Sequence, residues 1–399
     1  MKNIELEIVD YGYDGEGVAK QDGKVFFVPK SIIGEKVKVD IVKQNAKFCH
    51  CKVTDVLKNS IERQSPPCPY FDKCGGCNFQ HISYEKELEI KKNRLLKEFG
   101  KICDLSDIEI AVGVREYGYR NKVRFKVCDR KLGFFEEKSN NFLEVKKCLL
   151  LCEEMNIMIE KINTFLSQSK HKFDEVVLHN VGGNILVDFL TKENVKEEEV
   201  NKHFPFAFVN HKGQAIESEE VGLKYSFLGD MFRQVNEDVA SKIYSEASEI
   251  AKGKVIVNAF SGAGVLSGIL AKKASKVYGI ELNKSASKSA EELKEKNNIF
   301  NLINICGYVE KELEKIEEKV DCIVLDPPRA GCDKAVLEYI LTKEIPLVIY
   351  VSCNPATIVR DLSILKSKFE IKTVKAFDMF PRTANIETMA VLSLKSLTK

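Results

Sequence analysis

The stretch Val255-Ile256-Val257-Asn258-Ala259-Phe260-Ser261-Gly262-Ala263-Gly264 decides the fold, together with Val277-Tyr278-Gly279-Ile280 and the Glu281 that ends it. An apolar β-branched run reads as a buried strand, the two glycines as a tight turn, and the residues from Val265 as a helix. The second apolar run then reads as a parallel neighbour, which makes this the first half of a doubly wound nucleotide-binding fold. Glu281 lies 21 residues after Phe260, where a strand-terminal acid accepts hydrogen bonds from ribose hydroxyls. The turn lacks the third glycine with which a dinucleotide fold seats its pyrophosphate, so a mononucleoside ligand suits it better.

Working outward towards the carboxyl end, Val320 to Leu325 is the next buried strand, and it runs into Asp326-Pro327-Pro328-Arg329-Ala330-Gly331. The paired prolines fix a rigid loop directly after the acid. The apolar run Leu347 to Val351 follows and opens into Ser352-Cys353-Asn354-Pro355-Ala356-Thr357, just before a helical pattern from Ile358 to Lys366. After a strand to Phe377, the loop Asp378-Met379-Phe380-Pro381-Arg382-Thr383-Ala384-Asn385-Ile386-Glu387 enters a last strand, Thr388 to Ser393. Taken singly, Cys353 reads as a small buried hydrophobe and Glu387 as a surface charge. Open α/β sheets bind ligands outside the carboxyl ends of their strands, and an Asp, a Cys and a Glu on three such loops favour catalysis.

Working outward in the other direction, the chain of 399 residues is long enough for several domains, and 44% apolar content is ordinary for globular protein. The formal charge of +2 excludes bulk charge as a nucleic-acid signal, so any basic surface must be local. No apolar run approaches the length of a membrane span, and the N-terminus carries charge where a secretion signal needs apolar residues, so a cytoplasmic protein is expected. Thirteen unevenly spaced cysteines then argue for metal or catalytic use rather than a disulfide framework.

The alternating runs Ile4, Leu6, Ile8 and Val37, Val39, Ile41, punctuated by glycines, predict a small β-barrel over residues 1–59. Cys68, Cys74 and Cys77 follow a turn-rich linker in a C-x5-C-x2-C pattern, with Gly75-Gly76 between the last two. The spacing points to a metal or cluster site and does not separate zinc from an iron–sulfur cluster; Cys148 is the candidate fourth ligand. Ile82 to Phe99 reads as an amphipathic covering helix without chemistry. Between Val114 and Lys147, ten cations against five acids interleave with Tyr117, Tyr119, Phe125, Phe134, Phe135 and Phe142. This pattern suits single-stranded or looped RNA, or equally a strand pair with charged outer and aromatic inner faces. The division expected is 1–59 barrel, 60–226 central α+β domain with the cysteine motif and RNA surface, and 227–399 α/β Rossmann-like domain.

These motifs resemble the uracil-C5 RNA methyltransferases that carry an N-terminal TRAM domain and an iron–sulfur cluster, and the resemblance runs along nearly the whole chain. It implies a Rossmann-like S-adenosylmethionine domain and makes Cys353 the nucleophile and Glu387 the general base. It further implies cofactor contacts at Gln234 (in Phe232-Arg233-Gln234-Val235-Asn236), Phe260, Glu281 and Asp326, and a [4Fe-4S] cluster on Cys68, Cys74, Cys77 and Cys148. The expected substrate is 23S ribosomal RNA, with transfer RNA or an inactive iron–sulfur RNA-binding protein as alternatives, and a monomer with no membrane or obligate protein partner is expected. The chain departs from the family pattern at Asn258, where the family often carries an acid, near Tyr308, where it carries another, and at Arg382 and Asn385, which replace its usual histidines.

Overall fold

A computed structural model describes residues 3–395. They divide into two compact units, the first made of residues up to Lys97 with Phe135–Leu143 and Phe380–Asn385, the second of Glu98–Phe134, Glu144–Met379 and the residues from Ile386.

In the first unit the expected small β module is a six-stranded sheet in the order Ile4–Glu7, Lys36–Gln44, Phe48–Lys58, Lys24–Val28, Gly17–Gln21, Asp10–Tyr11. Period-two alternation sends Leu6, Phe26, Val37, Val39, Cys49 and Cys51 to one buried face, which accounts for two of the cysteines as core residues. Buried Glu35 is held by Arg63 at 2.6 Å. The helix Tyr84–Phe99 is more than the cover its Lys/Glu-rich sequence suggests. Glu87 and Lys91, one turn apart and both fully buried, pair at 2.6 Å. Lys91 Nζ also donates to the Phe380 carbonyl at 3.2 Å, and the Arg382 amide to Glu87 Oε1 at 2.8 Å. The loop Phe380–Asn385 is thus pinned by a buried ion pair.

In the second unit, the strands Lys131–Phe135, Lys122–Cys128, Glu175–Val181, Asn184–Leu190 and Ala207–Val209 lie side by side in that order. The helix Glu153–Gln168 packs on one face of them. Phe125 and Phe134 belong to that core, and Tyr119 is buried, so these rings are not free to stack on bases. Arg124 and Lys126 face outward and share Glu175 as partner. At Tyr119, Phe125 and Phe134 the window is therefore an aromatic inner face behind charged outer residues, whereas Phe135 is exposed and Tyr117 and Phe142 are half-buried.

The hairpin Ile216–Glu220 and Leu223–Phe227 leads into an eight-stranded sheet. Its order is Leu302–Cys306, Lys276–Glu281, Val255–Ala259, Cys322–Leu325, Leu347–Ser352, Glu387–Leu394, Phe369–Phe377, Ile110–Ala111. The first five strands are parallel, as the reading of 255–281 requires. The sequence did not announce that Glu387–Leu394 inserts antiparallel between Leu347–Ser352 and Phe369–Phe377. No helix among the described residues is long and apolar enough to cross a membrane.

Candidate active site

The antiparallel insertion places the catalytic candidates. Ser352 pairs with Thr388, so the carboxyl end of the Cys353 strand meets the amino end of the Glu387 strand. Cys353 is the first residue past its strand, and Asn354 caps the helix Pro355–Leu365, its Oδ1 accepting from the amides of Ala356 and Thr357 at 3.2 and 3.4 Å. Proline at the first helical position sharpens the turn. The thiol thus lies half-buried at a helix N-terminus, whose partial positive charge favours a thiolate. Burial nonetheless pushes the thiol pKa up, Glu387 adds to the rise, and the Arg329 guanidinium pulls it back.

Glu387 opens its strand rather than ending the loop, and it is only 5% exposed. Its Oε2 has no hydrogen-bond partner. Burial raises its carboxyl well above the usual range, the charge of Asp326 raises it further, and Arg329 opposes both. Burial also lifts Asp326, to about 7. Two acids and a thiol whose charges sense one another, with one arginine among them, make a group in which a proton can be taken up or released near neutral pH.

The Asp326–Gly331 loop is tied to the helix after Cys353. The Arg329 carbonyl accepts from Asn354 Nδ2 at 3.2 Å and Thr357 Oγ1 at 3.1 Å, and the Ala330 carbonyl accepts from Arg360 Nη2 at 2.8 Å. Behind it, Tyr350 donates to Asp361 Oδ2 at 2.6 Å, and the Cys332 amide donates to the same oxygen at 3.0 Å. The loop and the helix after Cys353 are therefore one braced piece. Arg329 was quoted in the sequence without a role; its place beside an acid-bearing, proline-fixed loop was the available signal.

An open cleft of about 580 Å³, counted to its solvent-open mouth, adjoins this edge and is lined by Gln234, Phe260, Asp326, Asn258 and the Ser261–Ala263 turn. Its size falls in the range of small-molecule sites. Gln234 Nε2 reaches Asp326 Oδ2 at 3.4 Å, joining two of the cofactor candidates. Phe260 adopts φ +62°, a strained left-handed conformation for a bulky residue and the kind found at ligand sites. A Cβ on Gly262, at φ +56°, would meet nothing within 4 Å, so a ligand can approach the bare backbone there. Glu281 accepts from the Gly262 amide at 2.9 Å and the Asn283 amide at 2.7 Å, which aligns its carboxylate beside the turn. These residues fit a nucleoside-bearing ligand. Sequence reasoning missed the polar back wall, Glu220, Tyr225 and Arg233, because no motif links the hairpin to the sheet.

Of the cysteines read as cluster ligands, Cys68, Cys74 and Cys77 lie in the first unit and Cys148 in the second. The Gly76 amide donates to Cys74 Sγ at 3.4 Å, as close approach at the glycine pair allows. Among the described residues no three His, Cys, Asp or Glu side chains are gathered as a metal-ligating set, so the side-chain positions do not by themselves make a metal centre. Asn258 turns to Ser267, its Nδ2 donating to the hydroxyl at 2.8 Å. Arg382, with φ +67°, is a strut of the first unit and donates to the Ile82 carbonyl at 3.0 Å.

A family model described as tRNA (Uracil-5-)-methyltransferase matches residues 208–395, and a TRAM-domain model matches residues 2–54. An uncharacterized RNA methyltransferase of Clostridium acetobutylicum is 33% identical over 445 residues, spanning 98% of this chain and 96% of its own. One of Halalkalibacterium halodurans is 31% identical over 446 residues, spanning 98% and 97%. The structure of Pyrococcus abyssi tRNA (uracil-54, C5)-methyltransferase in complex with S-adenosyl-L-homocysteine is similar with a TM-score of 0.81 at 25% identity, covering 97% of this chain and 99% of that one. Likeness of this extent along both chains carries a single conclusion: the chain belongs to the TRAM-containing RNA (uracil-5-)-methyltransferase family.

Proposed function

We propose that the chain forms 5-methyluridine in RNA with Cys353 as nucleophile and Glu387 as proton acceptor. The observation that supports these roles is the antiparallel register that pairs Ser352 with Thr388 and so brings both side chains to one sheet edge. C5 of uracil is too weak a carbon nucleophile to take a methyl group unaided. Addition of the Cys353 thiolate to C6 makes an enolate with electron density at C5. S-adenosylmethionine, when bound, supplies a methyl group on a sulfonium sulfur. Held in the cleft lined by Gln234, Phe260 and Asp326, it would give that methyl group to C5 and depart as the neutral thioether. Glu387 then takes the C5 proton, the C6–sulfur bond breaks, and Cys353 leaves as thiolate. Arg329 serves both carboxylate and thiolate by favouring their charged forms.

Gln234, Phe260, Glu281 and Asp326 are assigned to the cofactor, supported by the cleft that Gln234, Phe260 and Asp326 line and by the Glu281 hydrogen bond to its glycine turn. Attack on C6 needs an unstacked base, so the target is a loop or flipped uridine. We assign it to ribosomal RNA, in a cytoplasmic monomer built as 1–59, 60–226 and 227–399. Transfer RNA is the second reading, favoured by the likeness to the tRNA enzyme of Pyrococcus abyssi. The cysteine spacing supports a [4Fe-4S] cluster on Cys68, Cys74, Cys77 and Cys148, to which no catalytic step is assigned. Iron and sulfide analysis of anaerobically purified protein tests it, and zinc alone would overturn it.

The deciding experiment is methylation of rRNA and tRNA transcripts with mass mapping of the product, beside trapping on 5-fluorouridine RNA. Wild type is expected to give a covalent adduct that Cys353→Ala abolishes while RNA binding persists. An adduct that survives the substitution removes Cys353 as nucleophile, and no adduct with wild type would mark an RNA-binding protein without the activity. Unmethylated rRNA beside methylated tRNA would reverse the substrate assignment.

A further inference from the structure

The back wall of the cleft holds a carboxylate to which the reaction above gives no role. Glu220, at the end of the first hairpin strand, lines the cleft and is 8% exposed. One of its oxygens is engaged: Tyr225 donates to Oε2 at 3.3 Å, and Arg233 Nε lies 3.7 Å from the same atom. The other, Oε1, is buried with no hydrogen-bond partner. Leaving a buried carboxylate oxygen unsatisfied costs free energy on the order of 1–3 kcal/mol or more, and such an atom in a native fold calls for an explanation.

The neighbours say what the missing partner is. Arg233 does not neutralise Glu220 alone, since its Nη1 is 2.8 Å from both Glu237 Oε1 and the Asn180 carbonyl, and its Nε donates to the Tyr225 hydroxyl at 3.0 Å. Asp326 supplies a second carboxylate on the cleft, while Asn258 is uncharged and committed to Ser267. The phenol of Tyr244, also on the wall, is pushed well above its ordinary pKa by burial and by the charges of Glu220 and Asp326. The wall therefore sets one cation, itself shared with Glu237, beside two carboxyls that burial raises, and lacks a donor at Oε1, so a cationic donor would both satisfy that oxygen and favour its charged form. S-adenosylmethionine bears one strong cationic hydrogen-bond donor, the α-ammonium group of its amino-acid tail; its sulfonium is a cation without a polar hydrogen. We propose that Glu220 Oε1 accepts a hydrogen bond from that ammonium group and so selects ligands carrying the amino-acid tail. This rests on the reading of the cleft as the S-adenosylmethionine site. Arg233 and Tyr225 are positioning residues that hold Glu220 by Oε2 and leave Oε1 to the ligand.

The test is calorimetric titration of the full chain with S-adenosylhomocysteine, which has the amino-acid tail, and with 5′-methylthioadenosine, which lacks it. Glu220→Gln is expected to weaken S-adenosylhomocysteine about tenfold or more, the value of a charge-assisted hydrogen bond, and to leave methylthioadenosine within about twofold. Because Glu220→Gln leaves Arg233 with a weaker partner, the double variant Glu220→Leu/Arg233→Leu is measured beside it. Replacing a buried ion pair by apolar residues of similar size is often neutral to stability, and this variant is expected to show the same selective loss. Glu281→Ala separates the two readings, since a ribose contact serves both ligands and its removal weakens both. If Glu281→Ala weakens neither, the cofactor reading of the cleft fails. If it weakens both while the Glu220 variants bind S-adenosylhomocysteine like wild type, or lose both ligands equally, the Glu220 assignment is overturned.

Discussion

At the scale of single residues, the cost of the active site is concentrated in Glu387. Its carboxyl is buried and raised, so folding favours its protonated form. A raised acid contributes stability that is fully present below its unfolded pKa and is lost as pH rises through its folded pKa. Wild type should therefore lose stability from about pH 5 upward, and Glu387→Gln should escape part of that loss. We expect the melting temperature of Glu387→Gln to exceed that of wild type by about 2–4 °C at pH 8, the gap narrowing towards pH 5. The same substitution removes the proton acceptor and should leave methylated, cysteine-linked RNA on denaturing gels without a fluorinated base. A melting temperature independent of the substitution across that range would show that the carboxylate is better solvated than its burial implies. The motif resemblance pointed to the role of Glu387, but its raised carboxyl could not be read from the sequence; its burial comes from a strand that inserts between two others.

Elements tell a different story about legibility. The strand–turn–helix–strand of 255–281 was readable because each part carries its own local signal: β-branched runs, glycines at positive φ, and a terminal acid. The helical pattern that the sequence shows from Ile358 begins three residues earlier, at Pro355, with Asn354 as its cap. What stayed hidden depends on partners distant in sequence. The rings at 125 and 134 turn inward because a helix covers that face, and Glu87 and Lys91 are buried because a loop nearly 300 residues later lies on them. The brace between loop and helix is the element most open to test. At Gly331, φ is +85° and an added Cβ would lie 2.4 Å from Thr357 Cγ2 and 2.5 Å from Asp361 Oδ2. Gly331→Ala is expected to cost about 1–3 kcal/mol in urea unfolding and to lower kcat, because the loop bearing Asp326 and Arg329 must lift from the Cys353 helix. Unchanged stability with lost turnover would mean that the loop moves without strain and that its position alone matters.

For the whole molecule, charge sets how RNA is held. The formal charge is only +2, and cations of the outer sheet face are paired: Arg124 and Lys126 with Glu175, Lys131 with Glu144, Lys147 with Glu153. These four cations are thus already drawn on by acids before any phosphate arrives. The logarithm of RNA affinity should accordingly fall with the logarithm of salt concentration at a slope no steeper than about −3, which corresponds to roughly four phosphates on a single strand. A slope beyond about −5 would show that these pairs open and hand their cations to the RNA. Recognition then rests more on the shape of a loop and capture of its uridine than on charge.

The antiparallel insertion of Glu387–Leu394 also fixes an order of events during synthesis. The strands Leu347–Ser352 and Phe369–Phe377 leave the ribosome before the strand that separates them, so each waits with an unpaired edge and a vacant slot between them. The arrival of Glu387 completes the sheet and the proposed proton acceptor together. On the proposed roles, a chain short of that strand would carry the cysteine without the group that lets it leave a methylated uridine.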